Sequence, residues 1–574
     1  MSFFFLRAYY FFSDIKLNFW IRVFLLVSGF FSFPQKIKKT ILAQQSGDPE
    51  IGLLLTRGHY IFSKVNLDLE IENPWMIDAP SSEVDNCLHG FDWLNDLAAL
   101  GNNKSQRLVK RWMNLWYDFH GNGNVASWGP EMTALRTINI AKNWVFVEKS
   151  LQSNVSFYFK TLKRQQFYLS RIEKKMTSGL AKARVLFALF LLCILYQESK
   201  GKTVKILVKF QANIRKSVRR DYGVRSRNPE ELAEFFFLLS ETLQQIEKLE
   251  WKLTNQLENL TLQRDNMIPI LRGLRIGNGS LTRAHGGNVG NLEVLDKYLS
   301  LSGVNGPSLQ SQNMGFERIT AGRLTLIVDC GKPPKSLGSL RSHASMLSFE
   351  LSTGQRPIFV NCGPGGAFGS AYQRYCRSTY AHNSCTLGNL SQMDYKIFSR
   401  RGRWTEEILE RIPSTVTIDR KKTLEATWLN LSHNSFEDLY GFTHSRKLLL
   451  LNSGKIFTGT DSFKLTKNIR NDFETPQYFA AYFHLHPDVE LWDHPRLRTI
   501  ILRLKNGEHW IFETDFGEVR IEDSTYISYA ISSPIDTKRI VVLSSELHLE
   551  AEIKWSLRRR EIFSRNTRDA DLVT

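Results

Sequence analysis

The sequence predicts two domains in series, a helical N-terminal domain followed by an antiparallel β-sandwich. The chain has 574 residues, more than one ordinary domain holds. Apolar residues recur every three to four positions between about 85 and 300, whereas short strand-like runs begin near 315. The segment 302–313, rich in Gly, Ser and Gln, separates the two patterns. We therefore expect a multidomain α+β fold.

Residues 1–50 form an apolar and basic lead segment. The run from Trp20 to Phe31 is mostly apolar, but Arg22 interrupts it, and Lys36 and Lys38 follow it. A secretory signal would instead end in a small-residue cleavage site. Three interpretations stay open: an export signal, a membrane-associating segment that makes peripheral contact, and an ordinary packed N-terminus.

The helical domain is expected over residues 51–305. Leucine, phenylalanine and tryptophan repeat at helical spacing between 88 and 119. The run 185–196 is apolar on all sides but shorter than the roughly 20 residues of a membrane span, so it predicts a buried helix. The segment 228–231 reads Asn-Pro-Glu-Glu, which predicts a helix start with Pro at its first position and acids in its first turn. These patterns indicate stacked helical hairpins.

The β-sandwich domain is expected over residues 315–550. Short apolar runs such as 324–328, 346–351 and 540–543 are separated by Gly, Pro or Asn, a spacing typical of antiparallel sandwiches. Residues 551–574 are expected to form a basic C-terminal tail.

Charge and cysteine content narrow the functional class. Lys and Arg number 75 against 57 Asp and Glu, which gives a net charge of +18. Such a charge favours a polyanionic partner, although a general Lys/Arg bias of the genome explains it equally well. The six cysteines are scattered, and none forms a C-x-x-C pair, so neither a disulfide framework nor a thiolate zinc site is expected.

The candidates for proton transfer are histidines of the β domain, because histidine titrates near neutral pH. His343 and His382 each precede a strand-like run, where a histidine also serves commonly as a structural residue. His484 and His486 share one strand face and could chelate a metal or simply end a strand. Cations are dense between 205 and 227, which suits a polyanion groove or a solvated helix face. The sequence contains no phosphate loop, nucleophile elbow or dinucleotide fingerprint.

A series of short motifs runs in order through about residues 45–550. The motifs are Gly-Phe-Asp-Trp-Leu from Gly90, Trp-Gly-Pro-Glu-Met-Thr-Ala-Leu-Arg from Trp128, Ser-Arg-Asn-Pro from Ser226, His-Ala-Ser-Met-Leu-Ser-Phe-Glu-Leu from His343, Val-Asn-Cys-Gly from Val360, Arg-Ser-Thr-Tyr-Ala-His-Asn from Arg377, Gly-Phe-Thr-His-Ser-Arg from Gly441 and Phe-His-Leu-His-Pro from Phe483. In this order they resemble the heparinase II/III family of polysaccharide lyases, in particular the α-proteobacterial heparinase II/III-like proteins. The resemblance implies an (α/α) toroid for the helical domain.

The resemblance also implies β-elimination in a uronate-containing acidic polysaccharide. The reaction needs a group that neutralises the uronate carboxylate, a base at C5 and an acid at the glycosidic oxygen. His343 matches the family's catalytic histidine, and Asn228 matches the toroid asparagine that serves the carboxylate. His382 is a further candidate for proton transfer or for a structural role.

The resemblance assigns substrate binding to three cations and one aromatic residue, Arg225, Arg227, Arg377 and Trp128. It does not fix the catalytic tyrosine, for which Tyr222, Tyr372, Tyr375 and Tyr380 are alternatives. Where the family pattern carries His-Gly-Asp-Gly, this chain reads Ile-Gly-Asn-Gly from Ile276. Such departures put the activity itself in question.

The structural zinc of the family is not expected in this chain. The positions that match its ligands read Ser345, Asn361 and His382, so two of the three ligand types are missing and a coordination shell cannot close. We therefore expect no metal and no other cofactor.

Two functions from different classes follow. The first is a polysaccharide lyase, and the alternative is a weakened or inactive glycan-binding or cell-envelope protein that keeps the fold. A nucleic-acid binder is disfavoured because no nucleic-acid motif is present. We expect a location in the cell envelope or periplasm, with the cytoplasm as the alternative.

Overall fold

The computed structural model describes residue 41 and residues 47–560, apart from the short segments 63–64, 68–72, 122–124, 153–154, 250–253, 310, 312, 402–403, 470–475, 495–498, 516, 529–532 and 545. The expected lead segment therefore lies almost wholly outside the described residues, and so do residues 561–574.

Helices make up almost all of the N-terminal domain, and a two-stranded antiparallel hairpin follows the first of them. The helices are α1 (Pro49–Thr56), α2 (Ser82–His89), α3 (Trp93–Leu100), α4 (Asn103–His120), α5 (Val125–Trp128), α6 (Pro130–Lys142), α7 (Trp144–Leu151), α8 (Val155–Ile172), α9 (Leu180–Leu195), α10 (Lys200–Ser217), α11 (Pro229–Lys248), α12 (Thr254–Gly273) and α13 (Leu292–Leu301), and the hairpin is β1 (Tyr60–Phe62) and β2 (Val65–Leu67).

Helices α9 and α4 show how residue pattern sets burial. Every residue of α9 from Val185 to Leu195 is buried, as its uniformly apolar sequence predicts, and α9 packs between α6 and α10. Helix α4 instead buries one face through Trp112, Met113 and Trp116 and exposes the other. None of the helices in the described ranges is long and apolar enough to cross a membrane.

Antiparallel strands build the C-terminal domain. They are β3 (Phe316–Ala321), β4 (Leu324–Asp329), β5 (Phe349–Thr353), β6 (Arg356–Phe359), β7 (Cys385–Leu387), β8 (Asp394–Arg401), β9 (Trp404–Glu410), β10 (Val416–Lys422), β11 (Ala426–Phe436), β12 (Phe442–Leu451), β13 (Ile456–Leu465), β14 (Phe479–His484), β15 (Val489–His494), β16 (Thr499–Leu504), β17 (His509–Thr514), β18 (Glu518–Tyr526), β19 (Ile535–Leu543) and β20 (Glu550–Arg559). Two short helices, α14 (Ser370–Arg377) and α15 (Glu437–Tyr440), interrupt them.

The strands form three larger sheets and one separate hairpin. An eight-stranded sheet has the order β10-β11-β12-β13-β20-β17-β16-β15, and two four-stranded sheets have the orders β18-β19-β14-β7 and β3-β4-β5-β6. Strands β8 and β9 pair with each other. One residue from each larger sheet, Phe349, Phe483 and Trp555, meets in an aromatic cluster whose centroids lie 4.9–6.3 Å apart. This cluster joins the three sheets in one core. The predicted helical domain followed by an antiparallel sandwich is confirmed.

The C-terminal boundary differs from the expected one. Residues 551–559 were expected in a basic tail, but they form strand β20 between β13 and β17. Ala551, Ile553, Trp555 and Leu557 alternate with polar or charged residues and face the core, a period of two that the basic composition obscures. The expectation of a tail from 551 is therefore wrong for these residues.

Buried polar contacts join the two domains. Arg283 Nε donates to Glu350 Oε1 at 3.1 Å, and Thr282 Oγ1 donates to Glu350 Oε2 at 2.9 Å. The Gly277 amide donates to Ser352 Oγ at 2.9 Å, and a Cβ on Gly277 would lie 1.8 Å from a backbone oxygen of Gly354. Only glycine permits this approach, so the Ile-Gly-Asn-Gly segment serves the domain junction.

Candidate active site

The loop 284–288 connects the two residues that the family resemblance places together. A Cβ on Gly287 would lie 2.4 Å from Asn228 Oδ1, so the loop passes directly over this asparagine. Two residues earlier, His285 Nδ1 accepts a hydrogen bond from the His343 amide at 3.4 Å. Asn228 from the helical domain and His343 from the sandwich therefore both contact this short loop at the domain junction.

Asn228 is the N-cap of α11. Its Oδ1 accepts hydrogen bonds from the amides of Glu230 at 2.8 Å and Glu231 at 3.2 Å. These bonds satisfy amides that have no partner inside the helix. The carbonyl end of this side chain is thus occupied, and Asn228 as a whole is 5% exposed.

His343 is enclosed at the junction and does not project from a sheet edge. Its side chain is 1% exposed, and neither ring nitrogen has a hydrogen-bond partner among the described residues. Burial lowers the pKa of His343 well below its ordinary value, and His382, His285 and Arg377 lower it further. The ring is enclosed because the segment that carries His343 is held on both sides, by His285 and by the Ala344 amide, which donates to the Arg377 carbonyl at 2.8 Å.

His382 packs beside His343, with 5.0 Å between the ring centroids. His382 Nε2 lies 3.1 Å from the Cys376 carbonyl oxygen, and Nδ1 has no partner in the described part of the chain. Burial lowers the pKa of His382 to about 3, with a further contribution from His285. Both imidazoles are therefore neutral at physiological pH.

Asp329 is the centre of a buried polar cluster beside these rings. It accepts a hydrogen bond from Arg227, another from Ser345 Oγ at 3.0 Å, and lies 3.2 Å from His285 Nε2. Burial alone would raise the pKa of Asp329, but Arg227 and His285 together hold it well below its ordinary value. Arg227 and His285 both adopt positive φ angles, 58° and 50°, which are uncommon outside glycine.

Arg227 is buried at the domain junction. It is 2% exposed, and besides Asp329 it donates to the carbonyls of Met314, Gly315 and Gly331 at 2.7–3.1 Å. Its five N–H groups thus fasten the turn before β3 to the end of β4. The guanidinium faces into the junction, and the expected substrate-binding role of Arg227 stays a prediction that this burial does not favour.

Arg377 and Trp128 are likewise buried. Arg377 donates to the carbonyls of Ser342 at 3.0 Å and Ser339 at 3.2 Å and stacks on the Tyr395 ring. Trp128 is 1% exposed, and its Nε1 donates to the His120 carbonyl at 2.8 Å. Their expected roles in substrate binding stay predictions that this burial does not favour. Of the four residues that the resemblance assigns to substrate binding, only Arg225 is exposed.

The positions that match the family's zinc ligands are bonded to protein. Ser345 donates to Asp329, and Asn361 Oδ1 accepts the Asn383 amide at 3.2 Å while its Nδ2 donates to the Arg283 carbonyl at 3.3 Å. A hydroxyl and an amide already engaged in this way do not fit a zinc shell. The expectation of no metal at this place stays a prediction, and its chemical reason is unchanged.

A different group of ligand types, Cys385, His444 and Asp461, lies together inside the sandwich. Asp461 there accepts two hydrogen bonds from Arg446, at 2.6 and 3.0 Å, and one from Trp555 Nε1 at 3.0 Å. Because a guanidinium already neutralises the carboxylate, we read this group as a structural network.

The four candidate tyrosines form no hydrogen bond to the proposed catalytic pair within the described residues. No hydrogen bond in the described ranges links Tyr222, Tyr372, Tyr375 or Tyr380 to Asn228 or His343. The tyrosine that does approach is Tyr395, whose hydroxyl accepts the Ala344 amide at 3.2 Å and donates to the Arg377 carbonyl. No motif surrounds Tyr395, so the sequence offered no signal for it.

Acidic groups at the start of α11 are a further feature that sequence reasoning missed. Glu230 accepts the Asn288 amide at 3.1 Å, and burial raises its pKa to about 7, which Glu234 and Glu83 also favour. Burial likewise raises the pKa of Glu231. The sequence predicted these acids only as a helix start, because a residue that contacts them, Asn288, lies 58 positions away along the chain.

Comparison with known proteins supports this architecture. Residues 304–556 match the family described as Heparinase II/III-like, C-terminal. The solved structure of heparinase III aligns with a TM-score of 0.68 and 12% identity over 96% of this chain and 91% of that one. A mutant of the heparan sulfate lyase HepC from Pedobacter heparinus aligns with a TM-score of 0.55 and 12% identity, covering 96% of this chain and 89% of that one.

A similar full-length sequence is FtsZ-localized protein C of Caulobacter vibrioides (strain NA1000 / CB15N). It is 25% identical over 535 residues, which are 90% of this chain and 88% of the relative. The helical domain and sandwich thus share the fold of heparinase III, and residues 304–556 match the heparinase II/III-like C-terminal family that the motifs resemble.

Proposed function

We propose that this protein binds an acidic, uronate-containing glycan at the domain junction and that its elimination chemistry is weakened or absent. The observation that carries this proposal is the enclosure of His343, which is 1% exposed and whose ring nitrogens have no hydrogen-bond partner among the described residues. A general base must come within hydrogen-bond reach of the proton that it removes.

The other groups needed for elimination are also engaged elsewhere. Carboxylate neutralisation needs a free cation or donor, yet Arg227 and Arg377 bind backbone carbonyls of the protein. The side-chain oxygen of Asn228 caps α11. In this chain these polar groups form hydrogen bonds that stabilise the fold.

Arg225 and Arg341 are exposed cations near the junction. Arg225 precedes the N-cap by three residues, and Arg341 lies against the loop that passes over Asn228, since a Cβ on Gly286 would be 2.7 Å from Arg341 Cβ. These cations suit a carboxylated sugar better than a nucleic acid, for which no aromatic stacking platform accompanies them.

The location of the protein is part of the proposal. The name of the relative from Caulobacter vibrioides says that it is localized to FtsZ and names no reaction. We propose that this chain acts at the cell envelope near the division site, with peripheral membrane contact through the lead segment. A fluorescent fusion that stays diffuse in dividing cells would contradict this.

A second candidate is an active polysaccharide lyase. It is favoured by the convergence of Asn228 and His343 on the loop 284–288, since a catalytic pair needs such proximity. Movement of the loop on binding would have to expose the imidazole.

One experiment separates these candidates. Purified protein is incubated with a panel of acidic polysaccharides while ultraviolet absorbance follows the unsaturated uronate product and calorimetry follows binding. We expect binding without product, and weaker binding by the Arg225→Gln/Arg341→Gln variant. Product formation that His343→Gln abolishes, with binding retained, would establish the lyase. A panel with neither binding nor product would refute both.

A further inference from the structure

The exposed face of α10 carries a stripe of cations. Leu207, Phe210 and Ile214 turn one face of this helix into the core, where each is at most 1% exposed. The opposite face presents lysines at helical spacing, and arginines continue along the chain after the helix. We define the cationic track as Lys205, Lys209, Arg215, Lys216, Arg219, Arg220 and Arg225.

The track runs to the domain junction. Lys205 and Lys216 are separated by roughly 17 Å along the helix axis at 1.5 Å per residue. Beyond α10 an antiparallel bridge between Val218 and Val224 turns the chain back, which leaves Arg219 and Arg220 exposed at the turn. The chain then passes through Arg225 to the N-cap of α11.

Few acids balance these charges. Lys209 pairs with the buried Glu173, and Arg219 pairs with Asp221 at 2.9 Å. In the described parts of the chain, the other members have no ion pair or side-chain hydrogen bond, and these are Lys205, Arg215, Lys216, Arg220 and Arg225. Unpaired like charges repel one another and are relieved by a bound polyanion.

The geometry favours a linear polyanion over a membrane surface. A helix that lies in a membrane interface inserts its apolar face among the lipids, but the apolar face of α10 is buried in the protein core. Val208, at 47% exposure, is the exposed large apolar residue of the helix. One such side chain is too small an apolar surface to insert into a membrane. A charged polymer instead needs only cations at intervals along a line.

We propose that the cationic track binds a flanking segment of the same acidic glycan chain that the junction binds. This inference rests on the proposed function for its ligand class and adds a second binding surface, which meets the junction at Arg225. The track guides a polymer toward Asn228 and makes affinity depend on polymer length, because further uronates reach further cations.

The test compares short and long polyuronates. Fluorescently labelled oligogalacturonides and polygalacturonate are titrated against wild type, against Lys205→Gln/Lys216→Gln/Arg220→Gln, and against Lys104→Gln/Arg107→Gln/Lys149→Gln. The second triple variant removes the same charge from exposed positions on α4 and α7. Anionic vesicles and duplex DNA serve as competing probes.

We expect the polymer to bind wild type more tightly than the oligomer, with the difference shrinking as salt rises. The track variant should lose about tenfold in polymer affinity and little in oligomer affinity, whereas the control variant should keep both. Equal losses in the two variants would overturn the track, as would preferential binding of vesicles or DNA through the same residues. Oligomer binding without a length effect would refute the track alone, and absence of all uronate binding would refute the proposed function.

Discussion

Two buried histidine groups in this protein differ in how completely they are hydrogen-bonded. Inside the sandwich, Ser435 Oγ lies 2.8 Å from His433 Nδ1, His433 Nε2 lies 3.1 Å from His444 Nδ1, and His444 Nε2 lies 3.0 Å from Asp461 Oδ1. Arg446 closes this chain at Asp461 with two further bonds. Every ring nitrogen of the pair has a partner.

At the domain junction the pair His343 and His382 is incomplete. Three of its four ring nitrogens lack a partner among the described residues. A buried polar group without a partner costs about 1–3 kcal/mol, so the junction carries a cost that the sandwich avoids. The comparison teaches that a complete network marks a structural centre, whereas an incomplete one marks a place where water, a ligand or movement completes the bonding.

The largest effect is expected in the complete network. Asp461→Asn should lower the free energy of unfolding by about 3–5 kcal/mol, because it leaves the Arg446 guanidinium buried and unpaired. Urea unfolding measures the change, and Asp419→Asn on the exposed strand β10 is the matched control, expected within about 0.5 kcal/mol. A loss below about 1 kcal/mol would show that the network is not the structural centre.

A smaller loss is expected at the junction. Asp329→Asn removes the charge that pairs with Arg227 and should cost about 3 kcal/mol. Since the folded-state pKa of Asp329 is depressed, its contribution is present above about pH 4 and disappears as pH falls further. Unfolding of wild type and variant should therefore converge at low pH. Asp296→Asn, at an exposed pair with Arg275, is the control. Parallel pH curves would contradict the assignment.

Glu230→Gln should stabilise the protein at neutral and alkaline pH. Burial raises the pKa of Glu230 from 4.5 to about 7, so the folded state binds more protons than the unfolded state in this window, and stability falls as pH rises. The variant removes this slope and should gain about 1–3 kcal/mol near pH 8 with no gain near pH 4. Urea unfolding at both pH values, with the exposed Glu293→Gln as control, checks the sign. A variant that is less stable near pH 8 would refute it.

The smallest effect should come from His343. His343→Leu should change the free energy of unfolding by less than about 1 kcal/mol, because the imidazole has no bond to lose. The matched change in the complete network, His433→Leu, should cost about 1–3 kcal/mol. Thermal unfolding of the two variants tests the comparison directly. If His343→Leu proves the more damaging, an unseen water must already complete the junction pair.

The fold was predictable because its signals are local. Helical spacing through residue 301 and short strands from residue 316 each reflect which face of an element is buried. The buried helix α9 and the cap at Asn228 were both evident from composition and from the Asn-Pro-Glu-Glu order. Strand β20 was missed because its charged outward face dominates the composition.

The sequence by itself determined the order of domains, the start of α11 and the resemblance to a lyase fold. It could not distinguish Arg225, which is exposed, from Arg227, which is buried two residues later. Only the tertiary structure decided that Asp329 captures Arg227 and that His343 is enclosed, because both depend on residues about 60 to 100 positions away. Local patterns set secondary structure, but the burial and pKa of a side chain depend on what the opposing domain brings to it.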